Sequence, residues 1–394
     1  MTKNQLHTLQ KILTKHKLDA FFVSSIPTIT YLTHFSGFDN EDRNAFLLIT
    51  RQTQYIFTHG IYKEAAQKYM SDFTLIDITR EQPMSSSLQQ LMEKHTIQKL
   101  GFEADDMTYL EYLSLTKKID KNILFPADEI TENIRTEKSI DEIRAIRQAC
   151  QLGDKAFAFL LTKIKEDITE KDLALEYELF VKKQGANISF ATIVAFGSNG
   201  SLPHHIPTNK KLTKNNFIVL DFGVKLNNYC SDMTRTIFFG KANTKQKKIY
   251  ETVLEAQKKS IDYIASRCHA ELAMPPEVMV SESNEIPKPS KGGHKQVRDD
   301  ILGSEVDKVA RDYIINQGYP DMPHSLGHGI GLLVHEQPRL TPYSKDILSP
   351  GMVFSIEPGI YIPNYSGVRI EDLVTITNKG LEVLTNAPKT LIEL

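Results

Sequence analysis

HSLGHGIGLLVHEQP, residues 324–338, contains three histidines within twelve positions. These histidines, His324, His328 and His335, are interspersed with glycines and apolar residues. Glycine lets the backbone approach a ligand or a neighbouring strand closely, and histidine can bind a metal or transfer a proton near neutral pH. A single buried histidine is usually structural, but three in so short a stretch favour a functional site.

Two acidic residues flank a turn-like segment in VLDFGVKLNNYCSDMTRT, residues 219–236. Asp221 follows an apolar, strand-like segment, and Asp232 comes eleven positions later. If a hairpin joins two paired strands here, it resets the register and the two carboxylates can converge. The alternative is a surface turn with two solvated acids, and this stretch alone does not exclude it.

A third stretch, FSIEPGIYIPNYSGVRIED at residues 354–372, places charges within apolar strand-like segments. Glu357 lies in the first segment and Glu371 in the second, with Arg369 on the same strand face as Glu371. A charge in such a segment is costly unless it is paired or bound to a metal. An ion pair on an edge strand is the alternative for each glutamate, but the recurrence favours a site. Four carboxylates and one imidazole suit a pair of divalent cations.

The composition is that of a globular protein and excludes several classes of function. At 394 residues the chain can form two domains, each with its own core. The formal net charge of −2, with no dense basic run, argues against a nucleic-acid partner. Three scattered cysteines do not form a disulfide framework, and no segment is typical of a signal peptide or a membrane span. We therefore expect a cytoplasmic protein without a membrane partner.

The pattern of apolar residues predicts two domains, residues 1–130 and 131–394. Helix-like and strand-like segments alternate through the first, which favours an α/β domain with a mixed sheet. The stretch 134–164 is predicted to be one long helix at the start of the second domain. Within it, Ser139 and Glu142 have the spacing of a capping box.

A weak internal repeat is present in the second domain. TEKDLALEYELFVKKQG (169–185) and SEVDKVARDYIINQG (304–318) each begin with a hydroxyl residue, have an aspartate three positions on, and end in a glycine suited to a helix C-terminus. Each precedes a histidine, at His204 and His324. Two such halves facing one another would place a site between them. A polar segment at about 268–300 precedes the second copy, and we expect a disordered or mobile insertion there.

In these motifs the chain resembles the pita-bread metallopeptidases, specifically the branch of Xaa-Pro dipeptidase (prolidase) and aminopeptidase P. The resemblance extends over nearly the whole chain. It implies an α/β N-terminal domain of the creatinase/prolidase type, followed by an α+β catalytic domain of the pita-bread (creatinase/aminopeptidase-like) type. Family members usually join the helices on either side of the segment at about 268–300 by a short turn.

The resemblance implies a dinuclear metal site. Its ligands carry over onto residues of all three stretches, namely Asp221, Asp232, His328, Glu357 and Glu371. Asp232 and Glu371 would each bind both ions. Manganese is the expected ion, and cobalt, zinc and iron are alternatives because the same ligands tolerate them.

The resemblance also implies roles around the metals. Glu357 would pass a proton from the attacking water to the leaving prolyl nitrogen, and His335 and His324 would polarise the carbonyl and stabilise the oxyanion. His204, a further catalytic candidate, and Arg369 would line the prolyl side of the cleft. We therefore expect a homodimeric metallopeptidase that hydrolyses the Xaa-Pro bond at the N-terminus of small peptides with proline at position two.

Two alternatives remain open. A methionine aminopeptidase-like enzyme would share the five ligands and cleave a peptide such as Met-Ala-Ser, but such enzymes generally lack a domain like residues 1–125. A catalytically silent peptide-binding protein would use the same cleft. Silent relatives generally lose ligand residues, whereas this chain keeps all five.

Overall fold

The computed structural model describes residues 2–39, 42–270 and 300–394. The chain divides into two compact units, Met1–Arg135 and Thr136–Leu394. The boundary predicted at residue 130 falls within a helix that ends at Thr136. Nearly all of the insertion predicted at 268–300 lies outside the described residues, which end at 270 and resume at 300.

The first unit is an α/β domain built on one six-stranded sheet. Its strands are β1 (Ala20–Val23), β2 (Ala45–Thr50), β3 (Gln54–Thr58), β4 (Thr74–Asp77), β5 (Leu100–Phe102) and β6 (Leu124–Pro126). Its helices are α1 (Thr2–Lys15), α2 (Ile26–Thr33), α3 (Gly60–Tyr69), α4 (Met84–Lys94), α5 (Tyr109–Thr116) and α6 (Asp128–Thr136), the last of which crosses the boundary.

The sheet of this unit is mixed, as the sequence predicted. The strand order is β4-β3-β2-β1-β5-β6. The β1/β2 and β2/β3 pairs are antiparallel, and the other three pairs are parallel. The central strand β1, AFFV, is buried at every position. A strand covered on both faces is expected to have such an uninterrupted apolar sequence.

The second unit contains four helices and thirteen strands within the described residues. The helices are α7 (Ile140–Leu161), α8 (Glu170–Lys183), α9 (Thr244–Ala270) and α10 (Gly303–Asn316). The strands of its first half are β7 (Asn187–Ile188), β8 (Ile193–Phe196), β9 (Asn216–Phe222), β10 (Val224–Leu226), β11 (Tyr229–Cys230) and β12 (Met233–Phe239). Those of its second half are β13 (Gly327–Gly329), β14 (Glu336–Leu340), β15 (Val353–Ile356), β16 (Gly359–Ile362), β17 (Ser366–Arg369), β18 (Asp372–Thr377) and β19 (Gly380–Val383).

The helices α7 and α8 begin at the predicted capping residues. Ser139 accepts a hydrogen bond from the backbone of Glu142 and its own backbone donates to the Glu142 side chain, and Thr169 and Asp172 do the same. A capping box satisfies backbone donors that a helix leaves unpaired at its start. The long helix predicted within 134–164 is present from its cap at Ser139 to Leu161, whereas residues 134–136 belong to the end of α6.

The equivalent cap predicted for the second copy of the repeat, at Ser304 and Asp307, is wrong. The helix α10 begins one residue earlier, at Gly303, and no side chain caps it. Asp307 is fully buried and accepts a hydrogen bond from the backbone of Leu326 at 3.0 Å, while it also pairs with Arg311. Its carboxylate therefore serves a tertiary contact instead of the helix start.

The two copies of the repeat nevertheless form equivalent helices. The helices α8 and α10 each span 14 residues and are followed by glycines with positive φ, Gly185 at 76° and Gly318 at 83°. Apolar residues of α7 and α8 pack with those of the β12-β9-β8 sheet, and those of α9 and α10 pack with the β14-β13-β15-β18-β19 sheet. A backbone hydrogen bond from Glu371 to Thr234, 3.1 Å long, joins the two halves.

No helix in the described part of the chain combines the length and the apolar character needed to cross a bilayer.

Candidate metal centre

The backbone brings acids of both halves to one place. The strands β9 and β12 pair in antiparallel register, with Asp221 opposite Thr234, and Asp232 directly precedes β12. In the other half, Glu357 directly follows β15 and Glu371 lies between β17 and β18. The turn between β9 and β12 thus resets the register, and the alternative of two solvated acids is excluded because Asp221 and Asp232 are both buried.

Close strand packing places His328 against these acids. His328 is the central residue of β13, which pairs with β14 and β15. A Cβ atom on the neighbouring Gly327 would lie 2.0 Å from the carbonyl oxygen of Ser355. Only glycine permits that approach, and the hydroxyl of Ser355 then accepts a hydrogen bond from the backbone of His328 at 3.1 Å.

Three of the candidate ligands form a compact buried cluster. One ligand atom each from Asp232, His328 and Glu371 lie within 4.8 Å of one another. The Nε2 atom of His328 is 3.8 Å from Asp232 Oδ2 and 3.4 Å from Glu357 Oε1. Two carboxylates and an imidazole at this separation are suitable ligands for a divalent cation.

Unpaired buried oxygens test whether the cluster fits a cation. Asp221 Oδ1, Asp232 Oδ1 and Glu371 Oε1 are buried and have no hydrogen-bond partner among the described residues. Buried polar atoms are almost always paired, and a buried carboxylate oxygen without a partner is costly. A cation between these oxygens removes that cost, so the residues present fit a metal site.

The second oxygens of two of these acids are held by Arg369 and Thr234. Arg369 Nη2 donates to Asp221 Oδ2 at 2.6 Å, and Arg369 Nε donates to the Thr234 hydroxyl at 3.0 Å. The same hydroxyl donates to Glu371 Oε2 at 2.8 Å. Each carboxylate is therefore oriented through one oxygen while the other stays unpaired among the described residues, which is the arrangement expected of residues around a metal site.

The charges of the acids act on one another. Burial, with added repulsion from Glu371 and Asp221, raises the pKa of Asp232 well above its usual range. Burial and the charges of Glu357 and Asp221 raise the pKa of Glu371 in the same direction. Opposing charge favours the ionised form of a carboxyl, so a cation here would release protons from the cluster.

His328 is neutral and has a defined tautomer. Its Nδ1 atom lies 3.1 Å from the carbonyl oxygen of Gly329. Since a carbonyl can only accept, Nδ1 carries the hydrogen and the lone pair of Nε2 points toward the acids. Burial, assisted by the charge of His335, lowers the pKa of His328 to about 4. The ring is thus available as a metal ligand at neutral pH.

Glu357 combines exposure to the cavity with a raised pKa. Its side chain keeps 16% exposure and accepts a hydrogen bond from Ser355 Oγ at 3.1 Å. Enclosure by the protein raises the pKa of its carboxyl to about 8, although the charge of Arg369 acts in the opposite direction. Such a group can both hold and release a proton near neutral pH.

A cavity of about 600 Å³ opens over the acids. Every residue that the sequence analysis assigned to the site lines this cavity, namely His204, Asp221, Asp232, His324, His328, His335, Glu357, Arg369 and Glu371. Apolar residues complete the walls, among them Ile193, Ile206 and Pro207. The structure therefore brings the whole predicted set together.

The three histidines around the cluster differ in their contacts. His324 Nδ1 donates to the carbonyl of Ser325 at 2.8 Å, so its Nε2 accepts from the hydroxyl of Tyr361, also at 2.8 Å. Both of its ring nitrogens are thus engaged. His335 is exposed and packs edge-on against His328, with ring centroids 4.4 Å apart, and His204 is exposed to the cavity.

Sequence reasoning missed three residues of the site. Thr234 and Tyr361 contact Arg369, and Arg339 lines the cavity from β14 with an exposed side chain. No local pattern identifies Thr234, because Arg369 is remote from it in sequence. Tyr361 lies only eight residues from Arg369, within the stretch 354–372, and was passed over there as an apolar strand residue. Arg339 directly follows the histidine-rich stretch, and its positive charge at that position could have marked it as a candidate site residue.

Comparison with known proteins agrees with this architecture. Residues 144–271 and 290–378 match the family model "Metallopeptidase family M24", and residues 5–136 match "Creatinase/Prolidase N-terminal domain". A Xaa-Pro dipeptidase of Pyrococcus horikoshii is 33% identical over 384 residues, 97% of each chain. The uncharacterized peptidase YqhT of Bacillus subtilis is 34% identical over 392 residues, 99% of this chain and all of that one.

Solved structures agree as well. The Xaa-Pro dipeptidase from Bacillus anthracis superposes with a TM-score of 0.85 at 33% identity and covers the whole of both chains. The prolidase from Pyrococcus horikoshii gives 0.81 at 31% identity, over 99% of this chain and all of that one. The predicted fold class, a creatinase/prolidase-type α/β domain followed by a pita-bread catalytic domain, is confirmed.

Proposed function

We propose, for a chain that belongs to metallopeptidase family M24, that it hydrolyses the bond before a proline at the second position of small peptides. The family predicted from the sequence and the metallopeptidase class are confirmed by this membership. We propose the preference for proline and the number of metal ions in addition to family membership. They are supported by the chemistry of the cavity.

We assign two divalent cations to the cluster, with manganese as the first choice. The five proposed ligands are Asp221, Asp232, His328, Glu357 and Glu371. The unpaired oxygens of Asp221, Asp232 and Glu371 support this assignment, because a single buried cation would leave many acids with little opposing charge. When bound, two such ions lower the pKa of a water molecule and polarise a carbonyl group.

The side chains around the cluster have distinct proposed tasks. Glu357 takes the proton of the attacking water and passes it to the leaving prolyl nitrogen, a role that its partly exposed position on the cavity supports. His335, exposed on the cavity, donates to the oxygen of the scissile carbonyl as charge develops there. His324 also lines the cavity, and both of its ring nitrogens are already hydrogen-bonded, one to Ser325 and one to Tyr361.

The proposed preference for proline depends on the walls of the cavity. The nitrogen of a prolyl peptide bond has no hydrogen, so such a substrate leaves no donor that needs a partner in the cleft. Ile193, Ile206 and Pro207 offer apolar surface for the ring, and His204 and Arg369 line the same cavity. Relatives named Xaa-Pro dipeptidase match 97% of the chain or more, which supports the same substrate class.

The test is a panel of peptides incubated with the manganese-loaded protein and resolved by chromatography. Ala-Pro and Ala-Pro-Gly should be cleaved before proline, Ala-Ala should be cleaved far more slowly, and a chelator should abolish turnover. Cleavage of Met-Ala-Ser in preference to Ala-Pro would support a methionine aminopeptidase-like enzyme instead. Binding of these peptides without cleavage would indicate a silent binding protein. A homodimer in the cytoplasm, suggested by the resemblance and the composition, is proposed with this function.

A further inference from the structure

Glu170, the first residue of α8, has a fully buried carboxylate and is not among the residues that line the cavity. Its Oε1 accepts hydrogen bonds from the backbone of Phe196 and from Asn199 Nδ2, both at 2.8 Å. Its Oε2 accepts from His205 Nε2 at 2.9 Å. The same oxygen accepts from the backbone and the hydroxyl of Thr208, at 2.9 and 2.6 Å. One carboxylate thus binds five donors.

These five bonds keep the carboxylate ionised. Burial by itself raises the pKa of Glu170, but the bonds from Thr208, Phe196 and His205 outweigh it and hold the pKa below its usual range. The partial positive charge at the start of α8 favours an anion at the same position. Glu170 is therefore a stable negative centre around which donors can be arranged.

All five donors lie between Phe196, the last residue of β8, and Thr208, and the loop that follows β8 contains His204. Two histidines are adjacent in it and point to different surroundings. His205 is buried and bonds to Glu170, whereas His204 is exposed and lines the cavity over the metal centre. Because the donors lie on both sides of His204 in sequence, the carboxylate determines the path of the chain through that residue.

Other contacts hold the loop as well. Arg369 Nη2 donates to the carbonyl of Pro203 at 3.4 Å, and the backbone of His205 donates to that of Leu202 at 3.2 Å. The backbones of Glu170 and Lys171 donate to the carbonyls of Lys210 and Thr208, at 3.2 and 3.1 Å. A Cβ atom on Gly367 would lie 1.8 Å from the carbonyl oxygen of Gly200, so glycine is required where the loop crosses β17. Among the five bonds to Glu170, the bond from His205 is the one adjacent to His204 in sequence.

We propose that Glu170 is a positioning residue for His204, which it directs into the substrate cavity by binding the adjacent His205 and the two ends of the loop. The task given to His204, to line the prolyl side of the cleft, rests on the proposed function. The placement of His204 itself does not depend on the identity of the substrate.

A double-mutant cycle on kcat/KM tests the coupling. Glu170→Gln keeps the size of the side chain and removes its charge, and we expect it to lower kcat/KM for Ala-Pro by about tenfold or more. In a His204→Ala background the same substitution should have little further effect, because the residue on which it acts is gone. The matched control is Asp172→Asn, which removes an exposed carboxylate of the same helix turn that contacts Thr169 and not the loop. It should leave kcat/KM unchanged.

The outcomes separate positioning from support of the fold. A loss of kcat/KM that is equal in both backgrounds, or no loss in either, would overturn the proposal. The affinity for Mn²⁺, measured by calorimetry, should not change in Glu170→Gln. If that variant does not fold, Thr208→Val, which removes one of the five bonds, should show the same non-additivity in a weaker form, and additive effects there would overturn the proposal.

A second measurement does not depend on catalysis. In protein labelled with 15N-histidine, His204→Ala identifies the ring signals of His204, and Glu170→Gln should shift them while Asp172→Asn does not. If the wild type cleaves no Xaa-Pro peptide but these signals shift, the proposed function fails and the positioning role stands. If the signals do not shift, the positioning role fails whatever the activity.

Discussion

Arg369 and Asp221 form a buried ion pair, with Arg369 Nη2 2.6 Å from Asp221 Oδ2. The pair uses one oxygen of the carboxylate and leaves Oδ1 unpaired among the described residues. Arg369 also donates to the hydroxyls of Thr234 and Tyr361, so a single guanidinium orients three groups of the site. Its charge opposes the repulsion among the carboxylates.

Replacing this guanidinium should damage both the stability and the site. Arg369→Met leaves Asp221 as a buried acid without its partner, and breaking a buried ion pair in this way costs about 3–5 kcal/mol. We expect a marked fall in the unfolding midpoint of the metal-free protein. Arg369→Lys restores the charge but cannot donate to three groups in the planar geometry, so it should recover stability better than kcat/KM. Equal recovery of both would show that charge alone is needed.

Glu357→Gln tests the proton-transfer role. The substitution keeps the shape but removes the titrating group, and loss of a general acid–base residue lowers kcat by about 10²–10⁴-fold. His328→Ala should also abolish turnover, in this case through loss of metal. Steady-state kinetics and metal content should be measured together. The matched control is Glu382→Gln on β19 of the same half, where the glutamate pairs with Arg147 at the surface. Near-normal kcat in Glu357→Gln would remove this role.

The metal-free protein should become less stable as the pH rises toward about 8. The folded state raises the pKa values of Asp232, Glu371 and Glu357, the last to about 8, above the values near 4 of an unfolded chain. Burial also lowers the pKa values of His324 and His328 to about 4, so these rings act against the carboxyls up to about pH 6.5. Above that pH the carboxyls dominate, the folded state binds more protons, and the free energy of unfolding falls as the pH rises from about 6.5 through about 8. Thermal melts of chelated protein across this range should show the decrease.

Added Mn²⁺ is the control for that melt series. A bound cation supplies the opposing charge, so the decrease with pH should be absent in the loaded protein, and the stabilisation by Mn²⁺ should be largest at the alkaline end. A chelated protein whose midpoint rises steadily between pH 5 and about 8 would contradict the assigned acid cluster.

The segment between α9 and α10 should be dispensable for the metal centre. The M24 model matches residues up to 271 and again from 290, and each assigned ligand lies in other elements. Replacing residues 272–289 with a short glycine-serine linker should therefore leave Mn²⁺ affinity and kcat unchanged. Loss of metal in the deleted protein, with the fold intact by circular dichroism, would show that the segment supports the site.

The sequence predicted the members of the site better than their arrangement. Asp221, His328 and Glu371 could be identified because charged or imidazole groups in apolar, glycine-rich strands are costly without a local reason. Their convergence is a property of strand register across the two halves, which local patterns do not encode. Thr234 could not be identified, since it lies 135 residues from Arg369 in sequence.

Helix boundaries show the same limit. The hydroxyl residue and acid at Ser139 and Glu142 form the predicted cap, but the same spacing at Ser304 and Asp307 does not. Asp307 binds the backbone of Leu326 instead, nineteen positions away. A local rule fails where a tertiary partner competes for the same carboxylate. The function of Glu170 is hidden for the same reason, because its sequence position predicts only an acid at a helix start.

The most direct test of the account is a titration of metal-free protein with Mn²⁺, in which bound ions per chain and the rate of Ala-Pro hydrolysis are measured on the same samples. Two ions should bind per chain, and hydrolysis before proline should appear as the site fills. Hydrolysis of Ala-Pro that persists after chelation, or a filled site that cleaves no Xaa-Pro peptide, would contradict it.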